Sequence, residues 1–160
     1  MTTDTVDGTA LLSLERRIRK LEETAAIHDL LNRYARSIDG CRWDDWEQCF
    51  AEDCHAEYPF GKHDGREGIG AWCAHHLTTF KVFEHLFGNF QIELDGDRAM
   101  ARTNASIACV MDGARPHEHF DNGGAYDWEL RRTADGWRIS RVKLTVVWLS
   151  REATAANPYS

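Results

Sequence analysis

The stretch WRISRVKLTVVWL, residues 137–149, alternates apolar and polar side chains in two phases. Trp137 and Ile139 put the apolar set on odd positions, whereas Val142, Leu144, Val146 and Trp148 put it on even ones. Side chains of a strand point alternately to opposite faces, so both sets share one face only if an extra residue is inserted between them. The slip predicts a β-bulge near Arg141, a device that bends a sheet into a cup.

The same period of two extends toward the N-terminus. Ala134-Asp135-Gly136 turns a strand marked by Tyr126, Trp128 and Leu130 into 137–149. Before it, ARTNASIACVM alternates with Ala101, Thr103, Ala105, Ile107 and Cys109 on one face. The turn Asp95-Gly96-Asp97, with its Asp-Gly hairpin signal, joins that strand to one carrying Phe90, Ile92 and Leu94. Trp128 and Trp148 are expected on an open sheet surface, which points to oligomerisation.

Upstream the period becomes helical. Leu14, Ile18, Leu21 and Ala25 form one stripe, and Ile27, Leu30, Leu31, Tyr34, Ala35 and Ile38 continue it to Gly40. This predicts one long amphipathic helix with a break near Glu23–Ala25 and Gly40 as its left-handed terminator. Its first part, LSLERRIRKLEE, is too short for an independent coiled coil and is expected to pack on a neighbouring subunit or on the sheet. A second helix is expected from Trp43 to Phe50, burying Trp43, Trp46 and Phe50. AEDCHAEYPFG reads as a loop entering a strand that faces Ala56, Tyr58 and Phe60 one way. REGIGAWCAHHLTTF reads as a third helix with Ile69, Trp72, Cys73, His76 and Phe80 in a stripe. Three helices followed by a curved, mixed or antiparallel sheet define an α+β cone, the helices closing the concave face over an apolar pocket. The expected domain spans 11–150, with tails at 1–10 and 151–160.

Composition narrows the function. A net charge of -7 argues against nucleic acid or an anionic membrane as partner, since both select a positive surface. Six Trp, seven Phe and four Tyr suit a pocket for a hydrophobic, ring-bearing small molecule. The five cysteines, Cys41, Cys49, Cys54, Cys73 and Cys109, include no C-x-x-C, so reduced thiols and a cytoplasmic location are expected. No secretory leader pattern or run of about 20 apolar residues is present.

Metal binding is not expected. His75 and His76 are adjacent on a helix and diverge by about 100°. His117-Glu118-His119 sits in loop-like MDGARPHEHFDNGG with no third ligand spaced to join it. The stronger constellation is remote in sequence. Asp39 closes the long helix, where the backbone dipole repels a carboxylate, so it needs a compensating partner. His85 lies among Val82, Phe83, Leu86 and Phe87, an apolar setting in which an adjacent carboxylate would fix its tautomer and leave a base near neutral pH. Residue type alone leaves the alternative open: Asp39 a turn residue and His85 a satisfied core histidine.

IHDLLNRYARSIDGCRWDDWEQCFAEDCHAEY, EHLFGNFQIELDGDRAMA and GGAYDWELRRTADGWRIS together resemble the SnoaL-like branch of the nuclear transport factor 2-like superfamily. Within it the chain is most similar to the scytalone dehydratase, bile acid 7α-dehydratase and hexachlorocyclohexane dehydrochlorinase group, over roughly residues 14–150. The resemblance implies the same cone, an apolar pocket and a catalytic Asp–His pair falling on Asp39 and His85. It implies pocket tyrosines at Tyr34 and Tyr58, and a dimer or trimer. The second histidine of the scytalone enzyme is replaced by Thr103 or Asn104, and the last-strand arginines of its relatives by Val142 and Val146.

The expectation is a cofactor-independent, dehydratase-type lyase, with Trp43, Phe60, Trp72 and Phe83 lining the pocket from one side. Thr103, Asn104, Tyr126 and Trp128 are expected to line it from the sheet. An isomerase, a polyketide-type cyclase or a retro-aldol lyase would use the same base. A binding module or a structural subunit like the dioxygenase β-subunit is the non-catalytic rival.

Overall fold

The computed structural model describes residues 8–150. Along the chain run α1 (Gly8–Asp39), α2 (Trp43–Glu47), β1 (Phe50–Tyr58), β2 (Gly61–Asp64), α3 (Ile69–His76), β3 (Val82–Asp95), β4 (Arg98–Val110), β5 (His119–Thr133) and β6 (Gly136–Leu149). The six strands form one mixed sheet in the order β2-β1-β6-β5-β4-β3. All neighbours are antiparallel except β1 and β6, which are parallel. The sheet is not closed, and with three helices against it the chain has the α+β cone architecture expected from its sequence.

The phase slip in β6 has the predicted cause. Glu129 opposes Arg141 and Leu130 opposes Ile139, so Ser140, next to Arg141, is the inserted residue. Ile139 and Val142 are consequently both fully buried. A second irregularity near the end of β6 pairs Gly123 with Trp148 and Gly124 with Val146, leaving Val147 over. Trp148 therefore leaves the face of Val142 and Leu144 and is 44% exposed, in keeping with its expected place on the sheet surface. Its ring occupies the place of a Gly123 side chain, since a Cβ there would come within 2.3 Å of it.

A third irregularity was hidden in the sequence. In β3, Gly88 opposes Asn104 and Gln91 opposes Arg102, with Asn89 at a positive φ of 53°. The bulge switches the inward set from Phe83, His85 and Phe87 to Phe90, Ile92 and Leu94. His85 thus lies within the strand, and the apolar surroundings expected for it are half correct. Phe83 and Phe87 flank it inside, whereas Val82 and Leu86 point out and are exposed.

Other expectations are corrected. α1 is continuous through Glu23–Ala25 and begins at Gly8, so positions 8–10 are helical. The expected tails at 1–7 and 151–160 lie outside the described residues. Gly40 is not the left-handed residue; Cys41 is, at φ 50°. Arg42 N–H donates to Ser37 O and Cys41 N–H to Ile38 O, both at 2.8 Å, so the helix closes one residue later than its glycine suggests. α2 and α3 are shorter than expected, and β1 begins at Phe50 and pairs with the unexpected β2. β5 starts at His119, inside the segment read as a loop. Trp128 is buried at 1% exposure and so belongs to the interior, not to the open sheet surface.

Candidate active site

Asp39 is the last residue of α1, and β3 crosses it at His85. The Asp39 carboxylate accepts the His85 ring Nδ1–H at 2.7 Å. It also accepts the His85 backbone N–H, 3.1 Å from Oδ1 and 3.2 Å from Oδ2. Three contacts from one residue compensate a carboxylate at the unfavourable end of the helix dipole and hold the imidazole in one orientation. Because Nδ1 donates, the ring's lone pair lies on Nε2, and the His85 side chain is only 6% exposed.

On the neighbouring strands, His85 lies in a cross-strand row with Ile107 and Asn122. Asn122 is fully buried; among the described residues its Nδ2 reaches only the Cys109 sulfur at 3.9 Å, and its Oδ1 has no hydrogen-bond partner. The sequence conceals this residue, since DNGG belongs to a segment of loop composition. Burial, reinforced by the charges of Asp121 and Asp39, pushes the Cys109 thiol up to about 12. The next row consists of Phe87, Ala105 and Gly124, so there β4 and β5 offer at most a methyl group beside Phe87.

Beyond that row lies an aromatic floor. The Tyr34 and Tyr58 hydroxyls are 2.7 Å apart and buried. The rings of Tyr34 and Trp128 meet edge-on at 5.0 Å, and Tyr126 stacks on Trp128 at 4.9 Å. Phe87 links the floor to the dyad, 6.3 Å from the His85 ring and 6.2 Å from Tyr34. Burial holds both the Tyr34 and Tyr58 phenols well above their ordinary range, so they stay protonated donors.

The remaining expected pocket residues fall in four places. Thr103 is buried and accepts the Trp128 Nε1–H at 3.1 Å. Asn104, one residue on, is exposed on the opposite face, as strand alternation requires. Phe83 is buried beside His85. Trp43, Phe60 and Trp72 are half-buried around the other end of the aromatic cluster, with Phe60 5.2 Å from Tyr58 and 5.3 Å from Trp72. Val142, expected in place of an arginine, is buried, and Val146 is half-buried.

Among the described residues no group of three or more His, Cys, Asp or Glu is placed to hold a metal ion. His75 and His76 stand perpendicular, and His119 bonds to Asp121 at 2.6 Å. No described helix is long and apolar enough to cross a membrane. Hollows of about 440 and 590 Å³ lie on the outer sheet face among exposed groups such as Met100, Glu129 and Arg141, away from the dyad.

The chain is thus a small α+β cone that carries an ordered carboxylate–imidazole pair, with buried phenols across Phe87 from it. The chain belongs to the SnoaL-like domain family, whose model matches residues 19–143. It is 36% identical over 126 residues to the uncharacterized protein Rv2910c of Mycobacterium tuberculosis, covering 78% of this chain and 85% of that one. An NTF2-like protein with a cystatin-like fold from Novosphingobium aromaticivorans superposes with a TM-score of 0.72 at 25% identity over 95% of each chain. A hexachlorocyclohexane dehydrochlorinase, LinA type 2, has the same fold, with a TM-score of 0.74 at 16% identity over 86% of this chain and 93% of that one.

Proposed function

We propose that the protein is a cofactor-independent lyase that eliminates water from a ring-bearing β-hydroxy carbonyl compound. The observation that carries this reading is the Nδ1–H bond from His85 to Asp39, which leaves Nε2 as a base in a nearly dry site.

In the reaction, His85 Nε2 removes the proton on the carbon next to the carbonyl, and Asp39 stabilises the imidazolium that forms. The electron pair of the broken C–H bond becomes the new C=C bond as the β C–O bond breaks. The departing hydroxyl takes a proton from the imidazolium and leaves as water, so atoms and charge balance. The Tyr34–Tyr58 pair, protonated at all ordinary pH, donates to the carbonyl oxygen as negative charge builds there. The unpartnered Oδ1 of Asn122 gives a ring hydroxyl of the substrate a place to donate. The aromatic floor supplies apolar contact to the ring. Positioned acid–base help of this kind is worth about 10²–10⁴-fold in rate.

The same base would serve an isomerase, a cyclase or a retro-aldol lyase, which differ in product rather than in machinery. A purely structural subunit would have no need for a bare imidazole nitrogen in an apolar interior. β-Hydroxytetralone is a suitable probe, because loss of water aromatises it to a fluorescent naphthol. Naphthol formation is expected from the wild-type chain, and its loss in His85→Gln with the thermal unfolding curve retained. Conversion of this and related fused-ring β-hydroxy ketones at only the uncatalysed rate would overturn it.

A further inference from the structure

One continuous helix carries two apolar stripes on opposite sides. In the second half of α1, Ile27, Leu30, Leu31, Tyr34 and Ile38 are buried against the domain. In the first half, Leu11, Leu14, Ile18 and Leu21 are 49%, 49%, 45% and 69% exposed. At about 100° per residue, the centres of the two stripes differ by about 160° around the axis. The helix is unbroken, so the first stripe cannot turn onto its own sheet. Glu23, on the domain side, locks the rotation: its Oε2 accepts the Trp137 Nε1–H at 2.6 Å and pairs with Arg132 at 2.5 Å.

We infer that the first half of α1 is a dimerisation surface whose occupant is the same helix of a second copy of this chain, in parallel. The spacing 11, 14, 18, 21, 25 is the three-four alternation of a coiled-coil seam. Ile18 stands in the position where a β-branched residue favours two strands, and Leu14 and Leu21 stand in the partner position. The charges beside the seam choose both partner and direction. Glu15 and Glu22 line one flank and Arg17 the other. In a parallel pair Arg17 faces the second copy's Glu22, twice by symmetry, whereas an antiparallel pair sets Arg17 against Arg17 and glutamate against glutamate. A helix built to lie on an anionic membrane would carry cations on both flanks.

The seam, though short, does not bear the cost of helix nucleation, because the anchored second half of α1 already holds the helix. With the seam about 160° from the domain face, the two domains sit on the outside of the pair and do not collide. Beyond Ala25 this side of the helix turns polar with Asp29, Asn32 and Arg36, all exposed, which ends the seam.

Sedimentation equilibrium of the full chain tests the pairing. Ile18→Glu is expected to halve the particle mass and raise the dissociation constant about a hundredfold, with the thermal unfolding of the domain retained because the residue is exposed. Arg17→Glu or Glu22→Arg alone is expected to weaken the pair about tenfold, and R17E/E22R together to restore it. Leu11→Cys in a Cys41→Ser background is expected to form a disulfide to itself, as only parallel helices bring the two positions together. A monomeric wild type, a mass insensitive to Ile18→Glu, or failure of the double reversal to rescue would overturn the proposal. So would release of the wild-type dimer to monomer on removing residues 151–160, or on binding to anionic vesicles.

Discussion

His85 on β3 and Asn122 on β5 stand in one cross-strand row with Ile107 between them, both directed into the cone. One presents a base held by Asp39, the other a buried amide oxygen with no protein partner. An unsatisfied buried acceptor costs about 1–3 kcal/mol, so its presence beside the dyad is a stability sacrifice that a bound donor would offset.

Asn122→Leu therefore separates binding from folding. The substitution removes the unpartnered oxygen, and denaturant unfolding is expected to show stability unchanged or raised by about 1 kcal/mol. Turnover of a hydroxylated substrate is expected to fall about tenfold in kcat/KM through the lost hydrogen bond. A stability loss with activity unchanged would mean the amide is structural.

The Glu23 contacts make α1 docking acid-sensitive. Arg132, and then the Trp137 N–H, hold the Glu23 carboxyl below the usual carboxylate range. A carboxylate with a lowered folded pKa stabilises above its unfolded value and loses that contribution as pH falls through the folded value. Glu23→Gln is expected to cost about 1 kcal/mol at neutral pH. The gap from wild type should close as the solution is acidified through the carboxylate range, read by urea unfolding at each pH. A gap independent of pH would assign the cost to packing.

Thiol chemistry reports the interior directly. Burial pushes Cys54 up to about 11 and Cys109 up to about 12, whereas Cys41 is exposed at the end of α1. Since the thiolate is the reactive form, an aromatic disulfide reagent is expected to titrate one thiol quickly in the native chain and all five after unfolding. Cys41→Ser should abolish the fast phase. Rapid reaction of a second thiol would show that the core opens readily.

How much of this was legible in the sequence follows from how locally each feature is encoded. The bulge beside Arg141 was visible because apolar residues flank the slip on both sides, placing Ile139 and Val142 out of phase. The equivalent slip at Asn89 was concealed: Leu86 and Val82 are apolar yet point outward, so 82–87 showed no alternation to interrupt. The opposed stripes of α1 read as a break, because a change of phase in a one-dimensional pattern resembles an interruption when the helix in fact continues. Asp39 and His85 could be paired from an unfavourable helix end and an apolar imidazole. Asn122 could not, because asparagine before two glycines carries the signature of a turn, and only strand register shows that it faces inward.

In the proposed reaction Asp39 and His85 act as one catalytic unit, and a double-substitution cycle on turnover reads their coupling. With a substrate converted by the wild type, His85→Gln is expected to lower kcat by about 10²–10⁴-fold. Asp39→Asn should lower it substantially, and the double variant should be no slower than His85→Gln alone, since a carboxylate that acts through the imidazole contributes nothing once the imidazole is gone. Wild-type turnover in either single variant, or losses that multiply in the double, would show that the two residues do not act as a unit.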